Sequence, residues 1–174
     1  MAIGRSKVVI VGTGSVGAAV AFDMVMNHVC DDLILIDINK EKSWAEATDL
    51  QHSLGYSGSK MRVKDGEYEE CNDADIVVIA AALPYITGQT RLDMLEKAAG
   101  IMNNIVPNIM KSGFSGIIVV ITNPVDVMSY YVHKLSGLPA SKVIGTGTAL
   151  DSARLKYHLA DVMSVDPQSV HALC

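Results

Sequence analysis

Each thing this sequence is short of narrows what it can be. Its 174 residues hold only three cysteines, Cys30, Cys71 and Cys174. An odd, widely spaced set makes no disulfide framework and fits free thiols in a reducing compartment. Neither the cysteines nor the five histidines cluster at metal-ligand spacing, so no metal site is expected. Basic residues are outnumbered, 14 Lys and Arg against 19 Asp and Glu, and they form no basic run. That argues against nucleic acid and anionic membrane as partners. No apolar run is long enough to span a bilayer. The first one stops at Gly12 and Gly14, with no signal-peptide cleavage pattern. Internal repeats, low-complexity tracts and linkers are absent as well. The expectation is a cytoplasmic protein.

What remains is a well-supplied interior. Hydrophobic residues make up 49% of the chain and charged ones 19%, which fits an ordered globular chain with room for one proper core. The stretch from Lys7 to Asp37 organises it. Val8-Val9-Ile10-Val11 is a short β-branched run, suited to a strand buried on both faces. Gly12-Thr13-Gly14-Ser15-Val16-Gly17 follows at once, then a helical pattern over Ala18–Val29, then Leu33-Ile34-Leu35-Ile36 ending on Asp37. In this order each part has a physical task. Gly12 permits a tight turn, Gly14 lets the backbone approach a pyrophosphate, and Gly17 lets the helix pack close. The free N–H groups and positive end of the helix, from Ser15 and Val16 onward, face the phosphates. Asp37 stands where a carboxylate can accept both ribose hydroxyls of an adenosine. The competing reading is a glycine turn in some other α/β domain, with Asp37 as a helix cap.

Asp37 also separates two cofactors. NADP carries a phosphate on the 2′ oxygen that the carboxylate would hold. Two unit charges about 4 Å apart at an effective dielectric near 20 repel by roughly 4 kcal/mol. Asp37 is followed by Ile38-Asn39-Lys40, with no arginine to absorb the phosphate. The expected cofactor is NAD.

The pattern then repeats. Asn39 is a plausible N-cap for a helix over Glu41–Ser53, broken at Gly55. Strands are expected at Met61–Val63, Ala74–Ala81, Gly116–Ile121 and Val143–Gly145, and a strand start at Ser169–Cys174. Helices are expected from about Arg91 to Lys111, after Thr122-Asn123-Pro124-Val125-Asp126, and over Asp151–Met163. Strands alternating with helices imply an α/β, doubly wound parallel sheet of the Rossmann type, with strand order 3-2-1-4-5-6 and a ligand at the carboxyl strand ends. The chain stops in mid-pattern, and the expectation is a piece of something longer.

Several motifs now stand in order. They are Gly12–Gly17, Thr48-Asp49-Leu50-Gln51-His52, Gly88-Gln89-Thr90-Arg91-Leu92-Asp93, Thr122–Asp126, and Val143 through Arg154. On these the chain resembles the N-terminal half of the L-lactate dehydrogenases and the wider lactate/malate and L-2-hydroxyacid dehydrogenase family. The resemblance covers nearly the whole chain. It implies hydride transfer between NAD and an L-2-hydroxy acid, L-lactate/pyruvate first. It further implies residues 1–147 as the NAD-binding domain, 148–174 as the start of the catalytic domain, and a homo-oligomer of four when complete.

The resemblance also implies roles for particular residues. Arg91, at the end of a mobile loop, would polarise the substrate carbonyl, as an always-charged fork can. Asn123 would hydrogen-bond the reacting oxygen beside the nicotinamide ribose. Arg154 would grip the substrate carboxylate with two parallel hydrogen bonds. Asp151 would orient a catalytic histidine. That histidine falls beyond Cys174 in the family; His28, His52, His133, His158 and His171 do not match its position. Without the resemblance, Arg91 reads as a surface arginine and Asn123 as a turn former. Asp151 and Arg154 read as a cap and its neighbour on one helix face.

One position departs from the family. Tyr85 stands at the substrate-selecting site, where lactate enzymes usually carry glutamine and malate enzymes arginine. A larger apolar 2-oxo acid, as in the hydroxyisocaproate branch, suits a tyrosine better than malate does. A non-catalytic NAD-binding module is the alternative of a different class. The NAD-dependent glycosidases that share the nucleotide fold do not account for Arg91, Asn123 and Arg154.

Overall fold

The computed structural model describes residues 5–56, 58–82, 88 and 90–174. Strands and helices alternate along them. The elements are β1 (Lys7–Val11), α1 (Ser15–Met26), β2 (Asp32–Ile36), α2 (Lys40–Ser53), β3 (Arg62–Asp65), β4 (Ile76–Ile79), α3 (Arg91–Lys111), β5 (Ile117–Val120), α4 (Val125–Ser136), β6 (Val143–Gly145) and α5 (Ala149–Met163). The strands form one parallel sheet in the expected order, β3-β2-β1-β4-β5-β6.

Successive side chains of a strand point to opposite faces, and here both faces are covered. Val9 and Val11 of β1 join Ile34, Ile36, Val77, Ile79, Ile118 and Val120 under α3 and α4, which contribute Met102, Ile105, Val106, Ile109, Met128 and Val132. Val8 and Ile10 go the other way, with Leu33, Leu35, Val63 and Val78, under Ala21 and Val25 of α1 and Ala47 and Leu50 of α2. Two cores explain why the central strands read as unbroken apolar runs rather than alternating ones. The same burial carries α3 through Pro107, whose lost backbone bond alone would disfavour a helix.

Several boundaries differ from the sequence reading, each for a local reason. Helix α1 begins at Ser15 and ends at Met26, earlier than the apolar pattern suggests. His28 takes a left-handed backbone (φ 52°), and the N–H groups of His28 and Val29 bond back to Val25 and Met24. That is a Schellman ending built without glycine. Strand β3 runs from Arg62 to Asp65, later than Met61–Val63. It is an edge strand paired only with β2 and burying only Val63, so its charged residues hid it. Strands β4 and β5 are shorter than their apolar runs. Ser169–Cys174 is not a strand. A 3-10 turn covers Pro167–Ser169 and the rest pairs with no strand among the described residues. His171 is therefore no strand residue. Instead Thr148 donates its hydroxyl to the Cys174 carbonyl at 2.8 Å, and the Cys174 N–H donates to the Ser152 hydroxyl at 3.0 Å.

Cys30 and Cys71 lie one in each core, and burial pushes their thiols up to about 11 and about 12. As protonated, buried thiols they are inert. Among the described residues no group of His, Cys, Asp and Glu could hold a metal ion, and no helix is long and apolar enough to cross a membrane.

Candidate active site

The carboxyl end of β1 meets the start of α1 through the glycine turn, and two of its glycines are demanded by the fold. Gly12 has φ +100°, and a Cβ there would lie 2.5 Å from the Ala81 backbone. A Cβ on Gly17 would lie 1.9 Å from the Gly12 carbonyl oxygen. Gly14 differs: a Cβ there would meet nothing within 4 Å. The protein itself does not need Gly14 bare, whereas a ligand packed against that backbone would. The first turn of α1 likewise has no side-chain cap and no acidic residue. Its leading N–H groups, around exposed Ser15 and Val16, are those that a phosphate can take. These features fit the pyrophosphate of a dinucleotide.

Asp37 follows β2, and its carboxylate is held from three directions. Oδ2 accepts the Thr13 N–H at 2.7 Å and the Thr13 hydroxyl at 2.9 Å, while Oδ1 accepts the Asn39 N–H at 2.9 Å. Burial pushes its pKa up, but the bonds from Asn39 and Thr13, with Lys42 nearby, outweigh this and hold it below the usual carboxylate range. The carboxylate is thus ionised at neutral pH. A carboxylate has about four acceptor positions. Three of them are taken in this arrangement, by the Thr13 N–H, the Thr13 hydroxyl and the Asn39 N–H.

The second part of the site is a cleft of about 570 Å³ at the carboxyl ends of the central strands. Ala80 and Ala82 line it beyond β4, Ile121, Thr122 and Asn123 beyond β5, and Thr146 and Gly147 beyond β6. Val16 brings α1 to it, and α5 supplies Asp151 and Arg154. Buried Thr122 ties the floor together by donating to the Ala81 carbonyl at 2.8 Å. The turn after it contains a cis Asn123–Pro124 peptide, and Asn123 is exposed to the cleft. Arg154 donates to Asp151 at 3.3 Å, one step along the face of α5, with both side chains about 60% exposed (63% and 60%). Asp151 does not cap the helix; Thr148 holds that position.

The cleft therefore gathers Val16, Asn123, Asp151 and Arg154, while the glycines and Asp37 sit at the neighbouring turn, joined to it through α1. Arg91 opens α3, and its side chain, like Tyr85, lies outside the described residues. Sequence reasoning missed Thr13, the partner of Asp37, and Lys97 and Thr146 in the cleft. The cleft lining contains no histidine among the described residues.

Comparison with known proteins agrees with this geometry. Residues 6–145 match the family model described as lactate/malate dehydrogenase, NAD binding domain. The chain belongs to the lactate/malate dehydrogenase family. The matched domain is the one that binds NAD, and NAD is the cofactor. The chain is similar to L-lactate dehydrogenase 2 of Bacillus cereus, at 49% identity over 169 residues. It is equally similar, at 49% over 166 residues, to an L-lactate dehydrogenase of Halalkalibacterium halodurans. These alignments cover 97% and 95% of this chain but 54% of each relative, so the chain spans about half the length of the curated relatives it matches. Among solved structures it superposes on the ligand-bound minor L-lactate dehydrogenase of Enterococcus mundtii with a TM-score of 0.92 at 47% identity. That match covers 96% of this chain and 53% of the other.

Proposed function

We propose that the intact protein is an NAD-dependent L-2-hydroxyacid dehydrogenase, with L-lactate and pyruvate as its substrate pair. The observation that carries this is the meeting of Asn123, Asp151 and Arg154 in one cleft beside the first turn of α1. When bound, the reduced cofactor supplies a hydride for the carbonyl carbon of a 2-oxo acid. Arg154 has a fork geometry that matches the substrate carboxylate. Its present bond to Asp151 is an exposed pair three residues apart, worth about 0.3–0.5 kcal/mol, so substrate can displace it at little cost. Asn123 offers an amide to the reacting oxygen, and Arg91 stabilises the charge that develops there. Asp151, released from Arg154, is free to orient a proton donor. The proposed donor is, by the resemblance, a histidine whose position none of the five histidines of this sequence matches. The 174-residue chain by itself is then expected to bind NADH without turnover.

The domain boundary is proposed at residue 147, just before Thr148 caps α5. A homo-oligomer, four by resemblance, is supported by apolar side chains left exposed on α2 and α5: Trp44, Tyr157, Val162 and Met163. The cytoplasm remains the proposed compartment.

The test is NADH oxidation by the intact protein with pyruvate, oxaloacetate and 2-oxoisocaproate. Arg154→Lys keeps the charge but loses the fork, and should lower kcat/KM for pyruvate by about tenfold or more while leaving NADH affinity unchanged. No activity on any 2-oxo acid would overturn the proposal in favour of a module that binds NAD without chemistry.

A further inference from the structure

Strand β3 is an edge of the sheet, and its outer side is not left bare. In a parallel ladder, alternate residues of an edge strand bond to the neighbour, and the others turn their N–H and C=O groups outward. The register sets Val63 beside Leu33, and the ladder closes through the Arg62 N–H to the Asp31 carbonyl at 2.8 Å and the Gly66 N–H to the Leu35 carbonyl at 3.0 Å. Residues 62, 64 and 66 therefore face β2. Met61, Val63 and Asp65 present their backbone to the other side. Such an open row is a template for another strand. Two of its N–H groups are already taken by side chains. Gln51, near the end of α2, accepts the Val63 N–H on Oε1 at 2.7 Å. Ser59 accepts the Met61 N–H on its hydroxyl at 3.1 Å. Gln51 belongs to the Thr48–His52 motif, to which the cleft gives no task, since none of these residues line it.

We propose that Gln51 closes the β3 edge against strand addition by a second copy of this chain. Its carbonyl oxygen stands where the carbonyl of an added strand would bond. Val63 is the middle of the open row and the one buried residue of β3, so a strand cannot pair along the row without displacing Gln51. The same row on another copy is a fitting partner. Two such rows meet antiparallel with Val63 across from Val63, and each supplies the N–H and C=O groups that the other needs. Arg62, Lys64 and Asp65 keep the edge soluble; Gln51 keeps it shut.

The experiment uses the intact protein, with sedimentation velocity over a concentration series and amide hydrogen exchange. It compares wild type, Gln51→Ala, Gln51→Glu and the double variant Gln51→Ala/Asp65→Pro. Gln51→Ala should speed exchange of the Val63 amide by about tenfold, the scale of one lost hydrogen bond. It should also add species larger than the wild-type assembly as concentration rises. Gln51→Glu keeps an acceptor oxygen at the same reach, and should hold Val63 exchange within about twofold of wild type with no larger species. Proline at position 65 offers no N–H and is tolerated on the outer side of an edge strand, so the double variant should lose the larger species while Val63 still exchanges fast. Lower stability of Gln51→Ala with no larger species would overturn the proposal, since a purely structural bond acts that way. Larger species that persist in the double variant would overturn it too, because another surface would then join the copies. If Gln51→Ala fails to fold, wild type decides. Its Val63 amide should exchange about tenfold more slowly than its Asp65 amide, each relative to its unprotected rate. Equal protection of the two overturns the proposal.

Discussion

Asp37 and Arg154 carry the two charges on which the proposed function relies, and the chain treats them very differently. Asp37 is gripped by three hydrogen bonds at 2.7–2.9 Å, two of them from Thr13 of a turn where Gly12 and Gly17 leave no room for a side chain. Arg154 has one bond of 3.3 Å to an equally exposed neighbour. The first charge is fixed before the ligand comes, so it can reject as well as accept. The second is free to leave its partner, so it can follow a substrate. Order at the turn comes from the two cores beneath it.

The comparison breaks most sharply at Asp37. Asp37→Asn in the intact protein should narrow the preference for NAD over NADP by on the order of a thousandfold, the equivalent of the roughly 4 kcal/mol of repulsion removed. Titration with both reduced nucleotides measures it. An unchanged preference would mean that the 2′-phosphate is refused elsewhere.

The glycines sharpen the same contrast between fold and ligand. Gly17→Ala forces a Cβ to 1.9 Å from a backbone oxygen that cannot retreat. It should cost about 3 kcal/mol of stability or more, visible as a lower denaturation midpoint. Gly14→Ala meets nothing within 4 Å at an ordinary φ of −65°. Gly14 is the N-cap of α1, where alanine is poorer than glycine, so stability should fall by no more than about 1 kcal/mol, while NADH affinity falls about tenfold as the cradle fills. If Gly14→Ala bound NADH as tightly as wild type, the pyrophosphate would not lie on that backbone.

Tyr85 tests the cleft side. A phenol can line an apolar pocket but cannot neutralise a second carboxylate. If the proposed activity holds, Tyr85→Arg in the intact protein should improve oxaloacetate over pyruvate by about ten- to a hundredfold in kcat/KM, on the roughly 1.5–3 kcal/mol of a charged hydrogen bond. Both acids measured on both proteins at one pH settle it; an unmoved ratio removes Tyr85 as the selector.

How much of this was legible depended on whether a residue's neighbours in sequence were also its neighbours in space. The run Val8–Val11 and the cap Asn39 act within a few residues, and both stand where the sequence reading put them; the Asn39 side chain accepts from Lys42 N–H at 3.1 Å. Thr13 acts across 24 residues, and nothing local marks its hydroxyl as the partner of Asp37. Edge strand β3 was shifted because Arg62, Lys64 and Asp65 are charged, leaving Val63 as its one buried residue. At Ser169–Cys174 the apolar pattern promised a strand. A strand needs a partner as well as a pattern, and these residues bond instead to Thr148 and Ser152 of the α5 start.

The smallest expected effect concerns acid. Asp37 has a lowered native pKa, as do Asp32, held chiefly by Arg62, and Glu70, held chiefly by Lys64 and Lys7. A carboxylate titrating lower in the native state than in the unfolded one adds stability above the unfolded value, near pH 4. That contribution is lost as pH falls through the lowered native value. Wild-type stability should therefore decline below about pH 4, and Asp37→Asn should flatten part of that decline. Asp151→Asn removes only the exposed pair with Arg154, worth less than about 0.5 kcal/mol, or roughly 1–2 °C in Tm. Thermal melts of the three proteins between pH 3 and pH 7 carry the comparison. A larger loss from Asp151→Asn than from Asp37→Asn at pH 7 would reverse it. The cleft pair would then be the fixed element, and a substrate carboxylate would have to work against it to reach Arg154.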